Sequence, residues 1–433
     1  MQCLYRRRAG RAVRRPSSPI SPAQRWEQRL SALQILQPLL RINEMKAFPE
    51  ILAAAPVVIA LYAYVGYPLI LWLVARPNRR SVSRCNNTDW PYVTITVPAF
   101  NAAPCIRATL ERLVALDYPR DKLQILVVSD ASTDGTDEIV SQLRAQGVEL
   151  LRLPERRGKT VAENTAVAAS RGDILVNVDS TILLPSASLK ALVRVFDDPT
   201  IGVASGRDVS MGDVGEGTAA ESGYVGYEMW VRDLETRIGS IIGASGCFYG
   251  SRRSIHAKPL PPGLSWDFAA ALNARAQGYR SVSVREATCV VPRAAQIRIE
   301  LTRKARTMAR GLSTLFYYRA LMNPFRYGSF ALMLVSHKLV RWLPYLLAPF
   351  AYTALCFLAV ESFGARIMLA IVSAGLIAGL FAIRMGRPSS PKLLSLAGFV
   401  VAVFSAGFLA WCAAIRQTQM ATWEPTRRPE VQT

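Results

Sequence analysis

The sequence has very little histidine and no cysteine pairing pattern. Only His256 and His337 occur in 433 residues, which excludes a metal site with several histidine ligands and disfavours a histidine-dependent nucleophile triad. The seven cysteines are scattered without a C-x-x-C pair, which is typical of free thiols in a reducing compartment. Any metal must therefore be held by oxygen ligands, and we expect any catalytic base to be a carboxylate.

Acidic residues are also few, because 31 Asp and Glu stand against 52 Lys and Arg, giving a formal net charge of +21. Such a charge fits either a nucleic acid or an anionic membrane surface. The chain has no interleaved basic and aromatic stripe and no zinc-finger spacing, so we expect no nucleic-acid binding. Since 51% of the residues are hydrophobic, the composition indicates apolar spans flanked by basic loops, in contact with membrane lipids.

The first long apolar run covers residues 51–75, which include no charged side chain. This length crosses a bilayer core, and the run lacks the small-residue cleavage site of a signal peptide. The basic flank at 76–80 is expected in the cytoplasm. An arginine-rich segment at 1–44 fits poorly with an outside N-terminus. We therefore expect this segment to be disordered or a misassigned start, with translation beginning at Met45.

A second group of apolar runs follows residue 327. Transmembrane helices are predicted at 342–360, 367–383 and 393–415, followed by a tail at 416–433. Charged residues interrupt the stretch 327–341, so we expect an interfacial helix there. The basic connector at 384–392 belongs inside by the positive-inside rule. This places the domain between the two groups of runs on the cytoplasmic side of an inner or plasma membrane.

Residues 90–325 alternate short β-branched runs with helical stretches. Strands are predicted at 93–97, 123–128, 148–153 and 174–178, and helices at 103–116, 137–146 and 161–170. This alternation indicates βαβ units and a mainly parallel sheet. Ligands of such sheets bind beyond the carboxyl ends of the strands.

Polar side chains follow three of these predicted strands. Asn101, Asp130 and Asp179 each come just after a strand ends. Asp and Asn favour strand–helix turns, so any one of them alone would be read as a turn cap. Three at successive strand ends of one sheet instead predict a polar pocket at that edge.

Several segments carry a resemblance to a known family when they are taken together, in order and spacing. They are 97–101, 116–119, 128–136, 157–159, 172–175, 243–246, 278–280, 336–342 and 422–427. With them the chain resembles family 2 glycosyltransferases, in particular membrane-bound synthases of polysaccharides and cell-surface glycans. The resemblance implies an α/β fold of the GT-A, Rossmann-like type with N- and C-terminal transmembrane helices. It also implies inverting transfer from a nucleotide-diphospho-sugar donor to a glycan or lipid-linked acceptor.

The resemblance assigns roles on the donor side. The carboxylate of Asp130 would hold the base or ribose, and Lys159 would lie near the phosphates. Asp179 would bind Mg²⁺ or Mn²⁺, which bridges the diphosphate and stabilises the leaving group. The remaining donor-side candidates are Pro98, Ala99, Asn101 and Asp134.

On the acceptor side, Asp267 matches the general base that deprotonates the attacking hydroxyl. The residues expected to line this side are Gly243, Ala244, Ser245, Gly246 and Trp266. Three arginines, Arg303, Arg306 and Arg310, would contact the diphosphate or face lipid headgroups.

The sequence departs from the family pattern at several points. Thr181 stands where the metal motif usually ends in an acidic residue or Asn, and Trp266 stands where an acidic residue usually precedes the base. The Q-x-x-R-W signature of processive synthases is absent. An alternative function therefore stays open, in which the chain is a non-catalytic, nucleotide-sugar-binding subunit that works with synthase or export partners.

Overall fold

The structure is a computed structural model that describes residues 42–75, 89–210, 219–291, 297–385 and 392–416. The chain divides into two compact units, Met1–Ile51 and Leu52–Thr433, and the account below concerns the second. Most of the arginine-rich N-terminal segment, the basic flank at 76–80 and the tail from 417 lie outside the described residues.

A seven-stranded mixed sheet forms the centre of the second unit. Its strands are β1 Val93–Ala99, β2 Leu123–Ser129, β3 Val148–Arg152, β4 Ile174–Val178, β5 Ile201–Ser210, β6 Phe248–Arg252 and β7 Arg280–Val291. The strand order is β3-β2-β1-β4-β6-β5-β7. The first four strands run parallel, and β6 pairs antiparallel with both β4 and β5. The predicted α/β class and all four predicted strands are confirmed.

Helices cover both faces of the sheet. They are α2 Ala103–Val114, α3 Thr136–Gln142, α4 Lys159–Ala169, α5 Ser188–Val193, α6 Ala219–Ile238 and α7 Trp266–Ala276. Helix α8, Ile297–Tyr317, follows β7 and packs mainly against the apolar helix at 392–415. Helix α2 buries Ile106, Leu110 and Leu113 at helical spacing against β1 and β2. Every residue of the central strands β1 and β4 is buried, so both of their faces are covered, as expected of parallel strands between helical layers.

Among the described residues, four further helices are long and apolar enough to cross a membrane. They are α1 Ala47–Ala75, α9 Ser329–Glu361, α10 Phe363–Met385 and α11 Leu393–Ile415. Helix α9 corrects the predicted boundary, because 327–341 and 342–360 do not form separate helices. The helix is continuous from Ser329, and the polar side chains of His337 and Arg341 are buried against glutamates of α6. These charges are therefore compensated within the protein and give no reason for a separate helix among lipid headgroups.

The cysteines within the described residues are thiols outside any disulfide, as their spacing predicted. They are Cys105, Cys247, Cys289, Cys356 and Cys412.

Candidate functional site

The carboxyl ends of β1, β2 and β4 lie at one edge of the sheet. Strand β1 pairs in parallel with β2 on one side and β4 on the other. The residues that follow these strands, Asn101, Asp130 and Asp179, therefore lie along this same edge, as the sequence predicted.

Asp130 is buried and holds the loop that leads into α4. Its Oδ1 accepts a hydrogen bond from the Arg157 amide at 2.7 Å, and its Oδ2 accepts one from the Gly158 amide at 2.8 Å. The Asp130 amide donates to the carbonyl of Ala99 at 2.8 Å. Pro98 and Ala99 are buried residues of β1, so they support this edge from within the sheet.

Two other donor-side candidates shape the neighbouring turns. Asn101 has a positive φ of 47°, and its Oδ1 accepts a hydrogen bond from the Thr133 amide at 2.9 Å. Asp134 Oδ2 accepts one from the Ala103 amide at 3.0 Å, at the first turn of α2. Both contacts are those expected of turn-capping residues. Asn101 and Asp134 thus stabilise the turns next to the site through hydrogen bonds to backbone amides.

Lys159 is the first residue of α4. It connects the edge of the sheet that carries Asp130 and Asp179, called the donor edge below, to the loop 243–246, called the acceptor-side loop. Its Nζ lies 2.6 Å from Asp179 Oδ1, 3.8 Å from Glu163 Oε1 and 3.5 Å from the carbonyl oxygen of Gly246. Burial alone would lower the pKa of this ammonium, but the carboxylates of Asp179, Glu163 and Asp267 outweigh burial and raise it. Lys159 is therefore a fixed positive charge between Asp179 and the loop 243–246.

Asp267 lies in the first turn of α7 and is oriented by a neighbouring hydroxyl. Ser265 Oγ donates a hydrogen bond to Asp267 Oδ1 at 2.6 Å. A Cβ placed on Gly246 would be 3.4 Å from Asp267 Oδ2, so the glycine leaves the space in front of this oxygen open. One carboxylate oxygen is thus held, and the other faces the acceptor-side loop.

The rest of the acceptor-side loop is anchored by polar contacts. Ser245 Oγ donates to Asp208 Oδ1 at 2.6 Å, and the Ser245 amide donates to Ser205 Oγ at 2.8 Å. The carbonyl of Ala244 accepts from Arg232 at 3.3 Å. A Cβ on Gly243 would lie 3.3 Å from the ring of Phe268. The loop is therefore held at Ala244 and Ser245 by side chains of α6 and β5, and Gly243 lies close to the ring of Phe268 on α7.

Trp266 does not face the acceptor side. Its side chain is only 3% exposed and stacks on His256, with ring centroids 4.8 Å apart and an interplanar angle of 14°. Because α7 starts here, Trp266 points into the core while Asp267, one residue later, points to the cleft. The predicted acceptor-side position of Trp266 is wrong. Burial also lowers the pKa of His256 to about 4, so this imidazole is neutral.

The three predicted arginines lie on α8. Arg310 donates to Thr160 Oγ1 at 2.6 Å and to the carbonyl of Leu264 at 2.5 Å. Burial lowers the pKa of this guanidinium, while Glu163 and Asp267 favour its charge. Arg306 lies about one turn earlier and is half-buried. Arg303 belongs to the same helix, but its side chain lies outside the described residues.

The sequence reasoning missed Glu163, a carboxyl group inside the site. Its side chain is 1% exposed, and Oε2 has no hydrogen-bond partner among the described residues. Burial, opposed mainly by the Lys159 ammonium, raises the pKa of this carboxyl to about 8. The hydroxyl of Tyr249 on β6 lies near the carboxyl groups of Glu163, Asp267 and Asp179. It also has no hydrogen-bond partner in the described part of the chain. A glutamate four residues after Lys159, within an apolar helix face, was the signal that could have identified it.

The oxygen ligands for a divalent ion are few. Within the described residues there is no group of three or more His, Cys, Asp or Glu that could hold a metal. Asp179 supplies one carboxylate, and Thr181 lies two residues later in the following turn. Mg²⁺ at nucleotide sites is commonly bound by one or two carboxylates plus substrate phosphates. These residues fit a metal that arrives with a diphosphate better than a metal held by the protein alone.

Comparison with known proteins identifies a family model and several relatives. A family model described as "Glycosyl transferase family 2" matches residues 94–258. An N-acetylglucosaminyltransferase of Rhizobium sp. (strain N33) is 34% identical over 122 residues, which make up 27% of this chain and 27% of that protein. An N-acetylglucosaminyltransferase of Rhizobium leguminosarum bv. trifolii is 32% identical over 125 residues, covering 28% of this chain and 68% of that protein.

Among solved structures, a mannosyltransferase from Pyrobaculum calidifontis in complex with GDP-Man and Mn²⁺ has the same fold. The match covers 85% of this chain and 99% of that one, with 24% identity and a TM-score of 0.64. The fold is thus the GT-A type. The family model, together with the relative of which this chain covers more than two thirds, shows that the chain belongs to family 2 of the glycosyltransferases.

Proposed function

We propose that this protein transfers a sugar from a nucleoside-diphosphate sugar to a hydroxyl group of a polysaccharide or lipid-linked glycan at a membrane. One observation carries the proposal: the Lys159 ammonium contacts both Asp179 on the donor edge and the carbonyl of Gly246, the residue that faces Asp267. Donor-side and acceptor-side groups therefore face each other across one cleft.

The proposed chemistry is a direct displacement with inversion at the anomeric carbon. Asp267 accepts the proton of the acceptor hydroxyl, whose oxygen forms the new bond to the anomeric carbon. The bond from that carbon to the diphosphate oxygen breaks, and the diphosphate leaves with the electron pair. The Lys159 ammonium would stabilise the negative charge that develops on the diphosphate. The hydroxyl of Ser265 would keep Asp267 aimed at the acceptor.

A divalent cation fits the donor side of this scheme. When bound, Mg²⁺ or Mn²⁺ would supply further positive charge to the leaving diphosphate. Asp179 is the carboxylate that would hold it, with the phosphate oxygens completing the coordination; Thr181 offers only a hydroxyl. The membrane helices would hold the catalytic domain at the inner or plasma membrane, on the cytoplasmic side where nucleotide sugars occur.

The test is turnover by the full chain in nanodiscs, with a panel of UDP-, GDP- and dTDP-sugars that includes GDP-Man, plus Mn²⁺. We expect one donor to be consumed, and Asp267→Asn and Asp179→Ala to lower its consumption by about 10²-fold or more. The matched control is Asp121→Asn, which removes an exposed carboxylate just before the other end of β2. It should retain full turnover.

A second function, that of a non-catalytic subunit, rests on the weakened metal motif at Thr181 and on the ion pair that already occupies Asp179. Binding of UDP or GDP without turnover of any donor would support this alternative and contradict the enzyme. The partners would then be synthase or export subunits. The Trp266 departure does not favour it, because this indole is part of the core.

A further inference from the structure

A buried cluster of charged side chains lies where α6 of the catalytic domain meets the membrane helices α1 and α9. It consists of Tyr67 from α1, Glu228 and Glu235 from α6, and His337 and Arg341 from α9. All five are at most 9% exposed. We call this set the clasp. None of its members takes part in the chemistry described above.

The two glutamates of α6 hold both membrane helices. Glu228 Oε2 accepts a hydrogen bond from Arg341 Nη1 at 2.8 Å, and Glu228 Oε1 lies 2.9 Å from His337 Nε2. Glu235, two turns later, contacts His337 Nδ1 at 2.6 Å and accepts from the Tyr67 hydroxyl at 2.7 Å. One imidazole thus bridges two carboxylates. Although burial alone would raise the pKa of Glu228, the charges of His337 and Arg341 hold it well below its usual range.

The two contacts of the His337 imidazole require one additional proton, either on the ring or on a neighbouring carboxyl group. A neutral histidine offers one donor and one acceptor, whereas a carboxylate only accepts. Both His337 contacts can be hydrogen bonds only if the ring is doubly protonated or one of the carboxyl groups keeps its proton. In either form the clasp is a charge-assisted network, stronger and more directional than ordinary hydrogen bonds. Such buried networks fix one arrangement of the elements that carry them.

Both membrane helices change their winding at this place. Tyr62–Gly66 in α1 and Val335–Val340 in α9 form π-helical turns. The hydroxyl of Tyr62 lies 2.9 Å from Ser336 Oγ and joins the two turns to each other. π-turns inside α-helices are frequent at functional positions because they re-aim side chains. Here the turn in α9 carries His337 toward α6.

The clasp is connected to the acceptor side through α6 and α7. Arg232, which lies between the two glutamates, donates to the carbonyl of Ala244 at 3.3 Å. Lys338, next to the clasp histidine, lies 5.3 Å from the ring centre of Phe268, the residue that follows Asp267. A shift of α6 relative to the membrane helices would therefore move the loop 243–246 and the start of α7.

We propose that the clasp residues are positioning residues, which hold α6 against the membrane helices and thereby set the acceptor-side loop in front of Asp267. This inference rests on the proposed function for its catalytic consequence. Its structural part, that the loop depends on the clasp, stands independently of which sugar is transferred. Among the described residues, the hydrogen bonds of the clasp join only α1, α6 and α9, so the donor edge at β1, β2 and β4 should not respond.

The experiment compares Tyr67→Phe with Tyr62→Phe in the full chain in nanodiscs. Each substitution removes one hydroxyl at the junction of α1 and α9, but only Tyr67 bonds to α6. Hydrogen–deuterium exchange followed by mass spectrometry reports the loop without any ligand. We expect Tyr67→Phe to speed exchange at 240–247 by about fivefold, the factor that matches loss of one hydrogen bond. Exchange in β2 at 123–129 should not change.

Tyr62→Phe should leave the loop at the wild-type rate. Equal exchange at 240–247 in wild type and Tyr67→Phe, or equal acceleration in both variants, would overturn the proposal. Once the donor panel has identified a substrate, Tyr67→Phe should lower transfer and leave hydrolysis of the nucleotide sugar by water unchanged. A parallel loss of both activities would contradict a positioning role. Failure of every donor would count against the proposed function alone, because the exchange result needs no donor.

Discussion

Glu163 differs from an ordinary glutamate in its environment, because its side chain is buried. It lies inside the site within salt-bridge distance of Lys159, and one of its oxygens has no partner in the described part of the chain. A carboxyl group buried in this way favours its neutral form. In its neutral form Glu163 does not compete with Asp179 for the Lys159 ammonium, whose Nζ lies 2.6 Å from Asp179 Oδ1 at the donor edge.

The raised pKa of Glu163 predicts a pH-dependent stability. Its pKa in the fold is about 8, against 4.5 ordinarily. The folded state therefore gains stability from this group below about pH 4.5 and loses it as the pH rises through 8. Glu163→Gln cannot ionise and should avoid this loss. We expect its melting temperature, relative to wild type, to rise by at least about 4 °C from pH 5 to pH 9, since one pKa unit corresponds to about 1.4 kcal/mol.

Thermal unfolding in nanodiscs at pH 5, 7 and 9 would measure this difference. Glu111→Gln is the control, because Glu111 is an exposed carboxylate on α2 and its variant should track wild type at every pH. A difference between Glu163→Gln and wild type that stays constant with pH would show that Glu163 is ionised in the fold.

At the residue scale, the sequence was informative where a side chain follows a strand end. Asp130 and Asp179 were found because the parallel pairing of the strands dictates where their ends meet. Trp266 was misplaced because the direction of a side chain in the first turn of a helix depends on which face of the helix packs against the core. Most residues of α7 are apolar, so the sequence does not show which face that is. Glu163 was missed because a single acidic residue in a helix usually faces solvent.

At the element scale, α10 and α11 approach each other through small residues. A Cβ on Gly379 would lie 2.4 Å from Val401 Cγ2 and 2.7 Å from the carbonyl of Ala397. Lipid gives helices no hydrophobic reason to associate, so close packing at small residues must hold them together. Gly375, one turn away on the same helix, has no atom within 4 Å of such a Cβ.

This pair of glycines predicts a position-specific effect of the same substitution. Gly379→Leu should push α11 away and lower the stability of the protein in detergent, by roughly 1–3 kcal/mol as for other overpacked sites. Gly375→Leu should be close to neutral. Thermal unfolding in one detergent compares the two variants directly. Similar melting temperatures for both would mean that α10 and α11 do not pack as described.

The elements were predictable in part. Every predicted strand and helix between 93 and 178 is present, because each has a clear hydrophobic period and turn residues at its ends. The second half of the sheet could not be predicted, since the antiparallel placement of β6 between β4 and β5 depends on tertiary pairing. The boundary at 341 failed for a similar reason. From the sequence alone, His337 and Arg341 are expected to contact lipid headgroups. Their actual partner, Glu228, is more than 100 residues away in the sequence.

On the scale of the whole molecule, the two sides of the site rest on different cores. The donor edge rests on a cluster built from β1, β2 and β4, which includes Val97 and Val176 and no residue of the membrane helices. Part of the acceptor side rests on a second cluster. There Phe268 of α7 and Leu234 of α6 pack with Leu71 of α1 and other residues of the membrane helices. The positions of α6 and of the start of α7 therefore depend on the membrane helices, and the donor edge does not.

This division predicts how the catalytic domain behaves without its membrane helices. A shortened chain of residues 89–327 would expose Leu234 and Phe268, together with the two clasp glutamates. Exposed apolar patches of this kind cause association in water. We expect the shortened chain to aggregate in buffer and to become monodisperse in mild detergent, which size-exclusion chromatography would show.

The donor edge should nevertheless survive in that shortened chain. In detergent, Asp130 and Lys159 keep their supporting strands, so affinity for GDP or UDP should stay within about threefold of the full chain, a change below 1 kcal/mol. Asp130→Ala in the shortened chain is the control that should abolish this binding, because it frees the loop at Gly158. A shortened chain that is monomeric without detergent, or that loses nucleotide binding with it, would show that the two sides of the site share one core.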